Sequence, residues 1–487
     1  MVVTRYFNVA IVLFWCLMNV LLFRRQIWAP PPAVRLQTVS AITEPMEEWW
    51  GIYFRGEKIG YAAQSITPET DGYRVRDFSL LHLNLLGTTQ TVKTRLEMAA
   101  SSDWALKQFE FTLDSRDIRF KARGKVSPGK LALEVDSGGH QTQKTVPMNQ
   151  IPYLPAGLKP YIVTQNFEPG KEHLFLTFDP STLSQQITTV TVEGRERISI
   201  RGETHPAIRI RQRFRGVSVV SWVDARGRTL KEETPTGLAL VKEPPEEAQA
   251  LSGTKSLSLD LISQTAVPLN TPITDPEQKK FLKLKLSGFD PNYFSLDGGR
   301  QRLSHDLLEV RREDLNRLST YRIPIQGPRF ASYLQSTPFL QSDHPEIRAV
   351  VQRVLKQETD ALKAVARLRE WVFSQLAKEP TVSIPNALEV LQTRRGDCNE
   401  HTVLFNAMAR AAGIPAKTVV GIVYLRGAFY YHAWSEVWLG EWVSVDPVLN
   451  QFPADVTHIK FLEGEIDQQI DILQLIGKLK IALIEAS

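Results

Sequence analysis

Apolar and charged residues alternate along much of this chain, and the alternation constrains its fold more than any other feature. Phe120, for example, lies between Arg119 and Lys121, and similar segments recur between glycine-containing turns. A period of two predicts strands with one buried face and one solvated face. Residues 46–255 are therefore predicted to form an antiparallel β domain, and residues 256–337 a small β module or connector.

The hydrophobic period becomes helical from Ser342 onward. Ser342 or Asp343 is positioned to cap a first helix, a second helix is expected to begin near Asp360, and a third to follow Pro385. Polar caps followed by apolar residues three and four apart are typical of amphipathic helices. The C-terminal third is therefore predicted to contain several helices that pack through one face.

A further helix is predicted to begin at one of the two cysteines. Cys16 lies in an apolar N-terminal stretch, whereas Cys398 follows Asp397, and Glu400 stands three residues beyond Asp397. This spacing predicts a capping box with Cys398 as the first helical residue. The helix dipole would then favour a thiolate, and the free backbone N–H could stabilise an oxyanion. Gly396 would leave room for a substrate backbone.

Two alternating segments after this helix predict a hairpin that carries a histidine and an aspartate. Trp438-Leu439-Gly440 fits a three-residue loop, which pairs Val437 with Glu441. Counting back along both strands places His432 directly opposite Asp446, within reach of an imidazole–carboxylate hydrogen bond. A thiol, an imidazole and a carboxylate are the groups of a cysteine-dependent acyl-transfer site.

A zinc site is the alternative for the same residues. Cys398, His401, His432 and Asp446 offer ligand atoms that zinc accepts. The sequence lacks the paired Cys-x-x-Cys or His-x-x-x-His spacing of such sites, and His401 lies about 300° around the helix from Cys398. No metal and no cofactor are therefore expected.

Four segments together resemble the bacterial transglutaminase-like superfamily. They are Gly396–Thr402 (GDCNEHT), Ala409–Ala416 (ARAAGIPA), Tyr431–Val437 (YHAWSEV) and Trp442–Pro447 (WVSVDP). The resemblance covers residues 338–464 and includes the thiol, the imidazole and the carboxylate in the same order.

The resemblance implies a papain-like α+β core in residues 338–487. It implies Cys398 as the nucleophile, His432 as the general base and Asp446 as the partner that orients His432. The implied reaction forms a thioester from a protein or peptide amide, and either an amine or water then takes the acyl group. The predicted fold class of the chain is thus α+β: a papain-like transglutaminase core at the C-terminus, preceded by a mainly antiparallel β domain and an N-terminal transmembrane helix.

Two other functions remain open from the sequence. One is a non-catalytic, membrane-tethered scaffold that keeps the fold and binds a partner, and the other is a zinc-dependent hydrolase. Lys and Arg are scattered through the alternating segments and the net charge is only +5, so nucleic acid is not an expected partner. The sequence does not specify an oligomeric state.

The N-terminus predicts a membrane anchor. Residues 6–23 are mainly apolar, and 18 residues in a helix rise about 27 Å, close to the thickness of a bilayer core. A cleaved signal peptide is the alternative, but Arg24-Arg25 and a proline-rich linker over residues 24–45 follow instead of a cleavage site. Positive charge at both ends leaves the orientation open. The resemblance suggests a single-pass protein of the bacterial inner membrane with an extracytoplasmic soluble part.

Overall fold

The computed structural model describes residues 42–487 apart from 86, 116–117, 138, 252–259, 382 and 465–468. The predicted anchor at residues 6–23 and most of the predicted linker lie outside the described residues. Among the described residues, no helix has the length and apolar character needed to cross a bilayer. The prediction of a single-pass inner-membrane protein with an extracytoplasmic soluble part is corrected on this finding.

A 14-stranded antiparallel sheet dominates the described N-terminal half. Its spatial order is β8-β7-β6-β5-β4-β3-β2-β1-β14-β13-β12-β11-β10-β9, so the first and last strands pair at its centre. The strands are β1 (Met46–Phe54), β2 (Glu57–Glu69), β3 (Gly72–Leu85), β4 (Thr88–Ser101), β5 (Leu106–Ser115), β6 (Ile118–Ser127), β7 (Lys130–Ser137), β8 (His140–Pro147), β9 (Glu172–Asp179), β10 (Ser184–Ile200), β11 (Glu203–Phe214), β12 (Val217–Val223), β13 (Thr229–Glu233) and β14 (Leu238–Lys242).

The large sheet curls around helix α1 (Pro155–Thr164), which connects its two edge strands. The helix residues Leu158 and Ile162 share one apolar core with residues from both halves of the sheet. Phe109 of β5 and Phe178 of β9 lie on opposite halves, yet their ring centroids are 4.9 Å apart. Burial of apolar side chains against one central helix therefore brings the two ends of the sheet together.

The C-terminal part consists of helices packed against a mainly antiparallel sheet of order β15-β22-β21-β24, with β23 paired to β22. The strands are β15 (Val267–Pro268), β21 (Ala416–Leu425), β22 (Ala428–Trp438), β23 (Trp442–Val445) and β24 (Ile459–Glu463). The helices from residue 245 onward are α2 (Pro245–Gln249), α3 (Leu261–Thr265), α4 (Ala331–Leu334), α5 (Pro345–Leu355), α6 (Ala361–Gln375), α7 (Ala387–Thr393) and α8 (Cys398–Ala411).

Smaller elements complete the described chain. One four-stranded sheet has the order β17-β18-β16-β25, and β19 pairs with β20 in parallel. Their bounds are β16 (Phe281–Ser287), β17 (Gln301–Ser304), β18 (Leu307–Arg311), β19 (Ala377–Lys378), β20 (Arg395–Gly396) and β25 (Lys480–Ala486). Short 3-10 helices span Pro276–Gln278, Pro291–Tyr293, Leu315–Arg317, Pro328–Phe330 and Ile470–Leu475. Within the described part of the region 256–337, β16 thus pairs with β25 near the C-terminus, β15 pairs with β22, and Asp260 forms a single bridge to Asn84 of the large sheet.

The predicted α+β class is wrong for the chain as a whole. Strand accounts for 48% of the structure and helix for 21%, so the chain is mostly β. The long strands of the curled sheet outweigh the helices, which lie mainly in the C-terminal part. That part, with helices packed against an antiparallel sheet, is consistent with the predicted transglutaminase-like core.

The helix starts follow the predicted caps with one exception. Helix α6 begins after Asp360, as predicted, and Asp360 caps it by accepting the Lys363 N–H. Helix α5 is capped by His344, whose ring accepts the Glu346 N–H at 3.3 Å, and not by Ser342 or Asp343. An imidazole acceptor is not one of the usual capping groups, and the sequence pattern therefore favoured its neighbours.

Candidate active site

Helix α8 begins with the predicted capping box. The Asp397 side chain accepts the Asn399 N–H at 3.0 Å, and the Glu400 carboxyl accepts the Asp397 N–H at 2.9 Å. Cys398 is the first helical residue. Because no carbonyl precedes it at helical spacing, its N–H has no acceptor within the helix. The capping box thereby fixes the position of Cys398 at the start of α8.

Gly396 is required by the backbone conformation and by the Glu400 side chain at this position. Its φ is +150°, and a Cβ built there would lie 2.3 Å from the Glu400 Cβ. The glycine therefore allows the chain to pass over the Glu400 side chain and enter the capping box. Burial, followed by repulsion from Asp397, raises the pKa of the Glu400 carboxyl well above its usual range.

The Cys398 sulfur lies against strand β22. Cys398 is partly buried beside the apolar core of the C-terminal sheet, and the backbone N–H of Ala433 hydrogen-bonds its sulfur. Thr402, one turn further along α8, donates to the Ala433 carbonyl at 3.2 Å. These contacts place the sulfur beside the residue that follows His432.

The surroundings of the resting thiol oppose the predicted thiolate. Burial raises the pKa of Cys398 well above its ordinary value, and the charges of Asp397, Glu400 and Asp446 act in the same direction. The Ala433 N–H acts the other way but does not outweigh them. These effects act against the predicted contribution of the helix dipole, which favours the thiolate.

His432 and Asp446 form the predicted hydrogen bond, although the predicted register is wrong. His432 Nε2 lies 2.7 Å from Asp446 Oδ2. Trp438 pairs with Trp442 in the hairpin, so its loop is Leu439-Gly440-Glu441 and the register is shifted by two residues. His432 and Asp446 are consequently diagonal and not direct neighbours, and their side chains span the difference. With Nε2 engaged, Nδ1 is the ring nitrogen left for the sulfur.

A second histidine, His458, contacts the same aspartate oxygen. Its Nε2 lies 2.9 Å from Asp446 Oδ2, and its Nδ1 lies 3.3 Å from Asp455 Oδ1. Burial lowers the pKa of His458, but its hydrogen bonds to both carboxylates outweigh burial and raise the value to about 9. His458 is therefore a buried imidazolium at neutral pH, with both N–H groups donating.

Asp446 is held on both of its oxygens. Oδ1 accepts the N–H groups of Val448 at 2.6 Å and Leu449 at 2.9 Å, and Oδ2 accepts the two imidazoles. Burial raises the pKa of Asp446, but the charge and hydrogen bond of His432 and the hydrogen bond of His458 hold it far below its usual range. The carboxylate is thus fixed, ionised and inaccessible to solvent.

Sequence analysis missed His458. It lies just before β24, after a loop that returns from Asp446, and it shares no spacing with the other motifs. Asp455, three residues earlier, is the nearest signal, because an Asp–His pair at that spacing can share a hydrogen bond. The fold alone brings the two histidines to one carboxylate.

The structure does not assemble the zinc ligands predicted as the alternative. Fully buried His401 instead places Nδ1 2.7 Å from the Asp397 carbonyl. The described cluster that could hold a metal is His432, Asp446 and His458, whose ligand atoms lie within 4.8 Å of one another. Metal ligands must present lone pairs to one point. Both imidazole Nε2 atoms instead lie within hydrogen-bond distance of Asp446 Oδ2, so in this structure the three groups bind one another.

A protein-family model matches the part of the chain that contains this site. Residues 348–447 match the model of the transglutaminase-like superfamily. This stretch is a transglutaminase-like domain. It includes Cys398, His432 and Asp446.

Two curated relatives match only part of this chain. An uncharacterised protein from Haemophilus influenzae is 29% identical over 111 residues, which cover 20% of this chain and 30% of that protein. An uncharacterised protein from Mycobacterium leprae is 29% identical over 129 residues, which cover 24% and 46% respectively. The chain therefore spans less than half the length of either relative.

Three solved structures share a low overall similarity with this chain. A candidate cysteine protease from Cytophaga hutchinsonii has a TM-score of 0.28 at 14% identity, covering 43% of this chain and 84% of that one. A β-barrel-like protein of unknown function from Brucella abortus scores 0.33 at 11%, covering 43% and 97%. A candidate protease from Parabacteroides distasonis scores 0.20 at 11%, covering 67% and 63%. These TM-scores are too low to indicate the chemistry of this chain.

Proposed function

We propose that this protein catalyses cysteine-dependent acyl transfer on protein or peptide amides through a thioester. Cys398 is the nucleophile, His432 the general base and Asp446 the group that orients His432. The observation that carries the proposal is the 2.7 Å His432–Asp446 hydrogen bond next to Ala433, whose N–H contacts the Cys398 sulfur. A nucleophile, a base and an orienting carboxylate in that order are the requirements of this chemistry.

In the first half-reaction His432 Nδ1 takes the thiol proton while the Cys398 sulfur bonds to the amide carbon. The carbonyl electron pair moves to oxygen, which the Cys398 backbone N–H is placed to stabilise. When the carbonyl re-forms, the C–N bond breaks. The leaving nitrogen takes the proton from His432 and departs as ammonia or an amine, leaving a thioester.

In the second half-reaction a water molecule or a primary amine loses a proton to His432 and attacks the thioester carbon. The C–S bond breaks, and the sulfur regains the proton from His432. Water gives hydrolysis and an amine gives cross-linking. Asp446 keeps its charge throughout and stabilises the imidazolium of His432.

The raised pKa of Cys398 bears on how the thiol is activated. Because burial and three nearby carboxyl groups raise the pKa of the thiol, we expect the proton to leave during attack and not before it. Proton transfer by a positioned base supplies about 10²–10⁴-fold in rate. The same observation favours the second candidate, a non-catalytic scaffold, because an unreactive thiol is also what a scaffold would retain.

Acylation of the thiol distinguishes the two candidates. We would use p-nitrophenyl acetate in a Cys16→Ser background, so that Cys398 is the remaining thiol, and follow both nitrophenol release and the acetyl adduct by mass spectrometry. The enzyme should give a burst and an adduct on Cys398, with dansylcadaverine incorporation into casein as the amine-transfer assay. Cys398→Ala should abolish the burst.

A matched pair of variants tests the role of His432 as the base. His432→Ala should slow acetylation about 10²–10⁴-fold, whereas His305→Ala, which removes an exposed histidine, should leave the rate unchanged. Acetylation no faster than that of a free thiol, together with no effect of His432→Ala, would establish the scaffold instead.

A further inference from the structure

A cavity of about 430 Å³ lies inside the curled sheet, away from Cys398. Strands β1–β4 form one side, β11–β14 contribute the other, and the first turns of α1 close it through Pro155, Ala156 and Lys159. Its volume lies within the range of small-molecule sites. Most of its wall is apolar and includes Trp50, Ile66, Leu96, Met98, Phe178 and Phe214.

Most of the charged groups at this cavity are already neutralised by partners. Lys159 forms an ion pair with Glu232 and donates to the Thr229 hydroxyl at 3.0 Å. Glu48 forms an ion pair with Lys242 at 2.7 Å. Lys159 and Lys242 each have a carboxylate partner and are therefore not free to pair with an anionic ligand.

Asp77 differs from these residues. Its Oδ1 accepts a hydrogen bond from Gln64 Nε2 at 2.8 Å, and among the described residues no ion pair reaches it. Burial raises the pKa of Asp77 to about 6, while the Gln64 hydrogen bond and the charge of Lys159 act in the opposite direction. At pH 7.5 the cavity thus contains one ionised carboxylate without a bound counter-ion.

We propose that this cavity binds a cationic amphiphile, with an amine against Asp77 and an apolar chain along the aromatic and aliphatic wall. Asp77 is partly buried, and a carboxylate in that position is stabilised by a charge-assisted hydrogen bond from an ammonium group. The pairing of Lys159 with Glu232 and of Arg228 with Asp224 disfavours a fatty acid, because both cations in the described lining of the cavity already have a carboxylate partner. This site does not depend on the acyl-transfer proposal.

Calorimetric titration with three ligands of one chain length tests the head-group preference. Decylamine, 1-decanol and decanoate, each below its micelle concentration at pH 7.5, would be titrated into the full chain. Decylamine should bind at least about tenfold more tightly than the other two, the difference expected for one charge-assisted bond. Equal affinities, tighter binding of decanoate or no binding of decylamine would each overturn the proposal.

Variants locate the binding. Asp77→Asn keeps an oxygen for Gln64 and should weaken decylamine about tenfold without changing decanol, whereas Asp71→Asn, an exposed aspartate outside the cavity, should change neither. Thr94→Phe, which fills the cavity, should abolish binding of both and covers the case in which Asp77→Asn does not fold. Cys398→Ala should leave affinity unchanged. Loss of decylamine binding in Cys398→Ala would place the amine at the active site and refute the cavity.

Discussion

At the residue scale the site depends on one buried carboxylate. Asp446 receives two backbone N–H groups on one oxygen and two imidazoles on the other. A buried ion is tolerated only when such partners replace its hydration. His458 supplies the positive charge that lets Asp446 stay ionised even when His432 is neutral. It is therefore a positioning residue that acts on His432 through Asp446.

His458→Gln should destabilise the protein in a pH-dependent manner. The folded-state pKa of His458 is raised from 6.5 to about 9. Its stabilisation is therefore complete below pH 6.5 and is lost as the pH rises through about 9. The difference in unfolding free energy between wild type and variant should be roughly 3 kcal/mol near pH 6 and shrink above pH 9. Urea unfolding at both pH values measures it.

His305→Gln is the control for this comparison. His305 is exposed and makes no contact with Asp446, so its replacement should shift stability little at either pH. A stability difference for His458→Gln that stays constant from pH 6 to pH 10 would show that His458 does not act through its charge.

Four side chains meet at the site, and the sequence predicted all of them except His458. Cys398, His432 and Asp446 each lie in a local pattern: a capping box, an alternating strand and the end of a hairpin. His458 lies in no such pattern, because its proximity to Asp446 results from strand β24 returning to β21. The opposing effects on the Cys398 thiol could not be predicted either, since the helix dipole is a local property, whereas burial and the nearby carboxyl groups depend on the whole fold.

At the element scale, the start of α8 positions the nucleophile. The capping box could be read from Asp397 and Glu400, because it depends on residues three apart. The hairpin register could not be read from the sequence, because Gly440 has a φ of +95° in the middle of the loop and not at its last position. Local sequence thus specifies an element better than it specifies how two elements align.

Gly396→Ala should disturb this helix start. The new Cβ would meet the Glu400 side chain at 2.3 Å while the backbone stays at a positive φ. We expect a loss of about 1–3 kcal/mol in unfolding free energy and slower acetylation of Cys398, because Glu400 must move out of the capping box. Urea unfolding and the acetylation burst measure the two effects.

Gly427→Ala separates the steric contact with Glu400 from the cost of a positive φ. Gly427 also has a positive φ, +95°, but a Cβ there meets nothing within 4 Å. This control should lose only the backbone preference, about 1 kcal/mol, and keep the acetylation rate. Equal effects of the two substitutions on acetylation would contradict a specific role for the Gly396–Glu400 contact.

At the scale of the whole molecule, the large sheet is joined to the transglutaminase-like domain through buried polar contacts. Ser137 at the end of β7 donates to Glu389 Oε2 of α7 at 2.7 Å and accepts from the Asn386 side chain. Asn386 also caps α7 through the Glu389 N–H. The pairing order of the large sheet was not predictable, because β1 meets β14 across almost 200 residues, and neither was this contact.

Ser137→Ala tests whether these contacts couple the two parts. The substitution keeps the fold of β7 and the cap of α7 but leaves buried polar atoms of Asn386 and Glu389 with one partner fewer. Leaving a buried polar group unsatisfied costs about 1–3 kcal/mol, so the unfolding free energy should fall by that amount. Ser304→Ala, at an exposed strand position, should have little effect. Because the lost bonds cross from the sheet to the helix, limited proteolysis should also release the two parts more readily in Ser137→Ala. Wild-type stability and an unchanged proteolysis pattern would show that the Ser137 contacts do not hold the sheet against the domain.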